Sequence, residues 1–504
     1  MKRARRSAKR SFRSAITKRY GPRLRELTTV ADAPLWKLEE LLASTGGRIE
    51  GAVAAALNGV SIDTRSIVAG DIFVAIKGEK HDGHEFAAAA LNAGAGLAIV
   101  TTLTDAMRAA GPLLVVAGDP LRGLENIGRA ARARSHAQIV GVTGSVGKTS
   151  TKEMLRAALS ASGQTHASAA SYNNHWGVPL TLARMARETA YGVFEIGMNH
   201  AGEITPLVGM VRPHVAIITN IAQSHLGHFK SLDGIADAKA EIFSGVEPEG
   251  HAVINRDSPY FDRLAAAARK AGVKNIVGFG KHGDAEIRME RLVLHADCCC
   301  VTARVLGEDL IYKLGVPGEH MAMNSLAVLG AVKLMGADLA RAGLALASVQ
   351  PAKGRGVRQR LGAPGGDLVL IDESYNANPA SVRAALALLA NAKPGRGGRR
   401  IAVLGDMLEL GLHGPVLHGE LAEPVDAAQV DALYAAGPLM AHLWAKTPAA
   451  RQGAYAETSE GLREMLVAGL RAGDVVMVKG SLGSRMGPLA EAIRAAYPPR
   501  RTID

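Results

Sequence analysis

The stretch Gly141-Val142-Thr143-Gly144-Ser145-Val146-Gly147-Lys148-Thr149-Ser150 decides the fold of this chain. An apolar run, Ala137 to Val142, precedes its glycines, and apolar residues at helical spacing follow Ser150. A strand, a glycine loop, Lys-Thr and a helix together make a site for the phosphates of a nucleoside triphosphate, because backbone N–H groups of the loop converge on phosphate oxygens. We therefore predict a P-loop within an α/β domain.

This loop departs in one position from the strict P-loop pattern. The pattern has a glycine five residues before Gly147, where this chain has Val142. A chance glycine turn before a helix is the alternative, and the strand and helix around the motif argue against it. Lys148 offers a point charge to phosphate, and Thr149 offers a hydroxyl to Mg²⁺. The predicted nucleotide-binding residues of the loop are Gly144, Ser145, Gly147, Lys148, Thr149 and Ser150.

Length and composition describe a globular protein with room for about three domains. The chain has 504 residues, of which 48% are hydrophobic and 21% charged, as in folded proteins. No apolar run reaches the length of a membrane span. The three cysteines, Cys298–Cys300, are consecutive, which fits neither a disulfide framework nor the spacing of zinc ligands. We expect a reducing compartment and a cytoplasmic location.

The net charge of +12 is concentrated at the N-terminus. Residues 1–25 hold eleven Lys and Arg and no acid, so the rest of the chain is nearly neutral. Such a segment could bind RNA, DNA or an anionic membrane, could be an organellar transit peptide, or could come from an over-long gene model. We interpret residues 1–33 as a basic disordered tail, and we expect no nucleic-acid partner.

Apolar runs typical of strands alternate with Ala/Leu-rich helical stretches from Leu57 almost to the end. Continuous apolar strands separated by helices indicate parallel sheets covered on both faces. Boundaries near Gly118 and at Lys353–Gly356 predict three domains, the central one built on a P-loop ATPase-type sheet and the last on a Rossmann-like sheet. The predicted strands are Ile72–Ile76, Leu97–Val100, Leu113–Ala117, Ile139–Val142, Val193–Ile196, Val215–Thr219, Leu368–Asp372, Ile401–Leu404 and Val475–Val478.

Polar residues follow several of these strands. Glu195 ends an apolar strand after the P-loop, where a carboxylate can coordinate a cation at the phosphates; the alternative is a solvated or ion-paired acid. His225 alone is typical of a structural histidine and Lys239 alone of a solvated helix charge, because Mg²⁺ prefers oxygen ligands.

Three polar loops follow strands of the C-terminal part, at Ile371–Pro379, Gly405–Gly411 and Lys479–Met486. The last resembles an anion-binding turn at a helix N-terminus. Since ligands of such folds bind at the carboxyl ends of parallel strands, we expect the three loops to lie together.

Taken together, these motifs resemble the Mur ligase family over nearly everything from about residue 34 to the C-terminus. The resemblance rests on the segments TGSVGKTSTKEM, YNNHWGVPLTL, EIGMNHAGEI, HLGHF followed by AKAEIF, PGEHMAMNSLA, DESYNANPASV and GDMLELG. Ser61–Arg65, Gly70–Ala75 and Asp82–His84 resemble the UDP-binding domain of this family. The resemblance implies a UDP-substrate-binding domain at 34–118, a central ATP-binding domain at 119–350 and a C-terminal Rossmann-like domain at 351–504.

The resemblance implies ATP-dependent amide-bond formation in peptidoglycan precursor synthesis, in a monomer that uses Mg²⁺. ATP would phosphorylate the terminal carboxylate of a UDP-linked muramoyl tripeptide, and the amine of D-alanyl-D-alanine would attack the acyl phosphate. Asn376-Ala377-Asn378-Pro379 fits the dipeptide ligase of the family. The ligase that adds the third residue, whose Asp-Asn-Pro-Arg motif is absent, and a folylpolyglutamate-synthetase-like ligase are the alternatives. A GTPase would need an Asn-Lys-x-Asp motif, which this chain lacks.

Roles for individual residues also follow from the resemblance. Lys148 and Thr149 would serve the phosphates and Mg²⁺, Glu195 the first Mg²⁺, and His225 with a carbamylated Lys239 a second metal. The residues implied around the adenosine are Asn255, Asp257, His320 and Asn324. The candidates for the γ-phosphate arginine are Arg355, Arg358 and Arg360, and the candidates for an acid where many relatives have Asp are Asp372 and Glu373. The residues implied for substrate binding are Ser61, Asp63, Thr64, Arg65, Asn173, Asn174, Asn376 and Asn378.

Overall fold

The computed structural model describes residues 34–54, 56–169, 171–224 and 226–499. Contacts divide the chain into two compact units, one that ends at Pro120 and one that begins at Leu121. The described residues form three β-sheets, one in the first unit and two in the second. Each sheet falls in one of the three predicted domains, whose bounds remain predictions.

The first unit contains a five-stranded sheet in the order β1-β5-β4-β3-β2. It is parallel except that β1 pairs antiparallel with β5. All four residues of β4 are buried, as expected for a parallel strand covered on both faces. The strands are β1 (Arg48–Glu50), β2 (Gly59–Ser61), β3 (Asp71–Val74), β4 (Leu97–Val100) and β5 (Leu113–Val115), and the helices are Leu38–Thr45, Ala87–Asn92 and Asp105–Ala110.

A nine-stranded sheet begins the second unit, in the order β14-β13-β12-β11-β10-β9-β6-β8-β7. Its strands are β6 (Gln138–Thr143), β7 (Thr165–Ala167), β8 (Tyr191–Glu195), β9 (Val215–Ile218), β10 (His251–Asn255), β11 (Asn275–Gly280), β12 (Ile287–Leu294), β13 (Cys299–Val305) and β14 (Glu308–Leu314). The helices around it are Pro120–Ala133, Lys148–Ser160, Gly177–Ala183, Ile204–Val211, Leu232–Ala240, Phe261–Lys270, Glu319–Leu334 and Leu339–Leu346. Because β6 lies between β8 and β9 and parallel to both, the loops that follow these three strands meet at one edge.

Strands β12 to β14 differ from the expectation of parallel strands covered on both faces. They pair antiparallel, and side chains along β13 alternate between buried and more exposed. Alternation of this kind marks a strand with one face on the core and the other toward water. The expectation is therefore wrong for this part of the sheet.

The six-stranded sheet of the second unit has the order β15-β16-β20-β17-β18-β19. It is parallel except for the antiparallel pair β15–β16. Its strands are β15 (Val357–Ala363), β16 (Gly366–Glu373), β17 (Arg400–Gly405), β18 (Ala432–Ala436), β19 (Gln452–Ala456) and β20 (Val475–Lys479), and its helices are Pro379–Ala390, Gly414–Gly419, Ala422–Ala427, Ala441–Trp444, Ser459–Gly469 and Met486–Ala496. Since β16, β20 and β17 are neighbours, the three polar loops of the C-terminal part meet as predicted.

The nine strands predicted from apolar runs are all present, and their bounds agree to within two residues. Separate buried clusters cover the nine-stranded and the six-stranded sheets. Within the part of the chain that the structure describes, every helix is too short or too polar to cross a lipid bilayer.

Candidate functional site

Two glycines shape the loop between β6 and the helix Lys148–Ser160. Gly144 and Gly147 have φ angles of +148° and +86°, where side chains other than glycine are strained. A Cβ on Gly144 would lie 1.9 Å from the hydroxyl of Thr219, and one on Gly147 would lie 2.5 Å from the amide nitrogen of Asn324. The loop therefore adopts its shape only with glycine at these two positions.

The P-loop is hydrogen-bonded to the loop that follows β9. Ser145 N donates to Asn220 O at 2.8 Å, and the Ser145 hydroxyl donates to Ala222 O at 2.9 Å. From the other side, the Thr219 hydroxyl donates to Val146 O at 2.6 Å. These hydrogen bonds hold the P-loop in place. They do not use the backbone N–H groups at the start of the helix Lys148–Ser160.

Lys148 folds back over the loop, and its Nζ donates to Gly144 O at 2.7 Å. Burial lowers the pKa of this lysine, while the nearby Glu195 carboxylate acts in the opposite direction. A buried cation that donates to one backbone carbonyl is well placed to exchange that contact for phosphate oxygens.

Glu195 ends β8 and is 1% exposed. Its Oε1 accepts hydrogen bonds from the Thr149 hydroxyl at 3.1 Å and from the Asn173 amide at 2.7 Å. Its other oxygen, Oε2, is buried without a hydrogen-bond partner among the described residues. An unpaired carboxylate oxygen beside a threonine hydroxyl suits a hard divalent cation.

Lys239 lies on the helix Leu232–Ala240 and is 1% exposed. Burial, and then the neighbouring charge of Lys148, lower its pKa well below the ordinary value for lysine. It does not line the cavity described below. His225, its predicted partner at a metal, lies outside the described residues.

Three of the four residues predicted around the adenosine line one cavity: Asn255, His320 and Asn324. Asp257 does not line it. The Asp257 carboxylate instead accepts the backbone N–H groups of Lys281 and His282 at 2.8 Å each, which fixes the turn after β11.

Arg355 is the arginine of the 355–360 segment that lines the cavity. Its guanidinium carbon lies 4.1 Å from the centre of the Tyr375 ring, and its Nη2 donates to the Ser171 hydroxyl at 3.4 Å. Arg355 thus bridges a loop of the nine-stranded sheet and a loop of the six-stranded one.

Glu373 and Asp372 face different surroundings. The Glu373 carboxylate lines the cavity and pairs with Lys479 Nζ at 3.3 Å. Asp372 is 2% exposed and accepts bonds from the Ser374 hydroxyl and from Arg494. Of these two acids, Glu373 is the one that a ligand in the cavity would meet.

The predicted substrate residues are spread over both units. Asn173, Asn376 and Asn378 line the cavity, and Asn378 also caps the helix Pro379–Ala390 by accepting from Ser381 N. Asn174 does not line it, and its side chain accepts the N–H groups of Trp176 and Gly177.

The remaining predicted substrate residues belong to the first unit. Ser61 ends β2, and its hydroxyl donates to Asp63 O at 3.1 Å. Arg65 pairs with the Asp63 carboxylate at 2.7 Å, and hydrogen bonding by Arg65 lowers the pKa of Asp63. Thr64 begins the short 3-10 turn Thr64–Ser66.

The cavity has a volume of about 650 Å³, and all the residues that line it belong to the second unit. It is lined by the P-loop and by the loops after β16, β17 and β20. Lys479 begins the loop predicted as an anion-binding turn, and no individual role was predicted for it. It is 3% exposed and donates to Asn376 O at 3.0 Å within this lining. The sequence feature that could have indicated its role is its position directly after the apolar strand Val475–Val478. Among the described residues, no group of three or more His, Cys, Asp or Glu could hold a metal ion by itself.

Three family models match this chain. They are described as Mur ligase family, catalytic domain, over residues 56–143, Mur ligase middle domain over residues 142–332, and Mur ligase, glutamate ligase domain, over residues 359–482. Two relatives named UDP-N-acetylmuramoyl-tripeptide–D-alanyl-D-alanine ligase come from Synechocystis and Escherichia coli. The first is 34% identical over 88% of this chain and 93% of its own length, and the second 32% identical over 91% and 98%.

Solved structures give the same result. A crystal structure of MurF from Acinetobacter baumannii has a TM-score of 0.79 and 29% identity and covers 91% of this chain and 99% of its own. MurF from Thermotoga maritima in complex with ADP has a TM-score of 0.73 and 25% identity, with 87% and 98% covered.

Proposed function

The chain belongs to the Mur ligase family, and we propose that it is the ATP-dependent ligase that joins D-alanyl-D-alanine to UDP-N-acetylmuramoyl-tripeptide in peptidoglycan precursor synthesis. One observation carries this proposal. A single cavity is lined both by a P-loop and by the strand-end loops of a second, Rossmann-like sheet. Such a cavity can hold the triphosphate, the carboxylate to be activated and the incoming amine together.

A carboxylate is a poor electrophile, so the reaction needs a leaving group on it. In the first step an oxygen of the tripeptide carboxylate attacks the γ-phosphorus, and ADP leaves. In the second step the dipeptide amine attacks the acyl carbon, loses a proton, and expels inorganic phosphate. Lys148 and Arg355 offset the negative charge that gathers when triphosphate and carboxylate approach each other.

Mg²⁺ fits the residues at Glu195. Thr149 and Glu195 would hold it, since the carboxylate is bonded to the threonine hydroxyl through Oε1 and its buried Oε2 is free. When bound, the ion supplies charge neutralisation at the phosphates.

A second metal at His225 and Lys239 belongs to the same proposal. The low pKa of Lys239 supports it, because only an unprotonated amine adds CO₂ to become an oxygen ligand. We also propose that the enzyme acts in the cytoplasm, as a monomer, without a nucleic-acid partner.

Phosphate release from ATP tests the function directly. Purified protein receives ATP, UDP-N-acetylmuramoyl-tripeptide and D-alanyl-D-alanine, and each is omitted in turn. We expect release that requires all three, and an amide product of the expected mass. Release stimulated instead by RNA, by DNA, or by a folate with glutamate would contradict the proposal while leaving the nucleotide site intact. Parallel assays with diaminopimelate-containing and lysine-containing tripeptides identify the third residue that is accepted.

A further inference from the structure

Lys152 is a buried lysine that no step of the proposed reaction uses. It lies on the helix Lys148–Ser160, one turn after the P-loop lysine, and is 0% exposed. Its Nζ donates to Ser168 O at 2.8 Å and pairs with the Glu153 carboxylate at 2.8 Å. The transfer of an ammonium group out of water is costly, and an apolar side chain of similar volume often gives equal or greater stability at such a place. The contacts of Lys152 therefore call for a reason other than stability.

The contact with Ser168 joins the P-loop helix to a neighbouring loop of the same sheet. Ser168 directly follows β7, and its N–H donates to Val193 O of β8 at 3.3 Å. The chain then runs from β7 to the helix Gly177–Ala183, and we call this connection the β7 loop. Lys152 Nζ thus holds the first residue of the β7 loop.

The β7 loop brings two side chains to residues with proposed roles in the reaction. The Asn173 amide donates to Glu195 Oε1 at 2.7 Å, and the Ser171 hydroxyl accepts from Arg355 Nη2 at 3.4 Å. Since Asn173 bonds one carboxylate oxygen of Glu195 and leaves the other free, the orientation of that carboxylate depends on where the loop places Asn173.

We propose that Lys152 is a positioning residue that, through the β7 loop and Asn173, orients the Glu195 carboxylate for Mg²⁺. The inference rests on the Mg²⁺ site of the proposed function. Lys152 does not line the cavity, so it acts through the loop and not by contact with a nucleotide. Loss of a group that orients a metal ligand lowers metal affinity by about 10- to 100-fold. A hydrogen bond from Gly197 N to Asn173 O at 2.7 Å also restrains Asn173, so we expect a loss at the lower end of this range.

The test measures binding of the β,γ-methylene analogue of ATP by calorimetry, once with Mg²⁺ and once with EDTA. Lys152→Met keeps the length of the side chain but removes its charge. For this variant we expect the Kd of the analogue with Mg²⁺ to rise about tenfold. The Kd with EDTA should stay unchanged, because the residues of the P-loop are all present.

Lys333→Met is the matched control. Lys333 Nζ donates to Leu306 O at 2.9 Å and pairs with the Glu308 carboxylate at 2.7 Å, so it makes the same two kinds of contact as Lys152. It does not line the cavity either. The Kd values of Lys333→Met should equal those of the parent protein, with Mg²⁺ and with EDTA.

A double-mutant cycle with Asn173→Ala shows whether Lys152 acts through Asn173. Asn173→Ala alone should also raise the Kd with Mg²⁺ about tenfold. If both residues act on Glu195 by the same route, the double variant should lose no more affinity than Asn173→Ala alone. Two losses that multiply, to about a hundredfold, would overturn the inference.

The remaining outcomes also decide the matter. A parental Kd with Mg²⁺ in Lys152→Met would overturn the inference, and so would an equal rise with Mg²⁺ and with EDTA. If the parent protein binds the analogue equally well under both conditions, the proposed Mg²⁺ site fails and the inference with it. A parent protein that binds the analogue more tightly with Mg²⁺ but does not ligate refutes the ligase function alone. Thermal unfolding checks the folding of every variant, and Lys152→Leu, with the same expected Kd values, replaces Lys152→Met if that variant does not fold.

Discussion

At the scale of single residues, the site depends on a few side chains whose surroundings the sequence alone does not reveal. Glu195 was predictable as a candidate, because it is a carboxylate at the end of an apolar strand after a P-loop. That one of its oxygens is shared by Thr149 and Asn173 while the other is free depends on folding. Lys479 was predicted only as part of an anion-binding loop, and its ion pair with Glu373 depends on folding.

Replacing Glu195 with Gln tests its part in holding a cation. The amide keeps the shape of the side chain but loses the charge, so we expect kcat/KM to fall by at least about 100-fold and the Mg²⁺ concentration for half-maximal activity to rise. Titration of activity against Mg²⁺ measures both. Glu290→Gln, which removes a surface carboxylate paired with Arg288, should change neither. A Glu195→Gln enzyme with parental Mg²⁺ dependence would refute the assignment.

A second residue-scale prediction concerns Gly147. In Gly147→Ala the new methyl group meets the Asn324 amide and the φ of +86° is strained, so the KM for ATP should rise by about tenfold or more. Gly272→Ala is the matched control, because Gly272 has a φ of +92° with open space around its Cβ position. In urea unfolding Gly272→Ala should lose about 1 kcal/mol from the strained φ alone, and Gly147→Ala should lose more because its methyl group also meets Asn324. Equal KM values for ATP in Gly147→Ala and Gly272→Ala would show that the close contact with Asn324 has no part in ATP binding.

At the scale of elements, the sequence predicts nine of the strands, whereas β10, β11 and β18 went unpredicted although they are largely buried and pair parallel with a neighbour. Leu97–Val100 was predicted with the bounds that the structure has, because four consecutive buried apolar residues leave little choice. The antiparallel strands β12 and β14 went unpredicted, since charged residues interrupt them and their pairing is decided by partners elsewhere in the sheet. The strand β7 has three half-buried residues and carries too little apolar pattern to be recognised.

The helix Gly414–Gly419 gives a prediction about pH. Its His418 is fully buried, where Nδ1–H donates to Gly414 O and Nε2 accepts the N–H of Met407. Burial lowers the pKa of His418, as it does for His166, His214 and His251. Folding therefore favours the neutral rings. The contribution of these neutral rings to the free energy of unfolding is complete above the unfolded pKa of about 6.5. It is lost as the pH falls below that value.

Urea unfolding at pH 7.5, 6.5 and 5.5 measures this loss. The free energy of unfolding should fall toward pH 5.5 in the parent protein and fall less steeply in His418→Gln, whose amide oxygen can still accept from Met407 but does not titrate. His136 is exposed, so the free energy of unfolding of His136→Gln should fall with pH as steeply as that of the parent protein. If the free energy of unfolding of His418→Gln falls with pH as steeply as that of the parent protein, the His418 ring contributes nothing to the loss of stability in acid.

At the scale of the whole molecule, the site is assembled from residues far apart in the chain. The order of the motifs made the pairing of a P-loop domain with a Rossmann-like domain predictable. The contacts that join the two sheets of the second unit were not predictable, since they include a backbone hydrogen bond from Gly227 N to Glu409 O. Backbone hydrogen bonds of this kind do not require particular residue types, so the sequence does not indicate them.

Deleting residues 1–33 tests where the activity resides. All residues with predicted roles lie between Ser61 and Glu373 or in the loops up to Met486, so kcat/KM for ligation should stay within about twofold of the full chain. The assay is phosphate release with all three substrates. Loss of activity in the shortened chain, together with ATP hydrolysis stimulated by nucleic acid in the full one, would favour the nucleic-acid-binding alternative.

The position of β20 has a consequence for how this enzyme is made. The strand Val475–Lys479 lies between β16 and β17 in the middle of its sheet, although it follows all the other described strands along the chain. During translation, the ribosome must therefore deliver β20 before the sheet can close and before Lys479 can reach Glu373. The P-loop domain can fold long before that moment. A nascent chain that stops before β20 would thus carry the P-loop without all the loops that complete the cavity, and it would not turn over ATP.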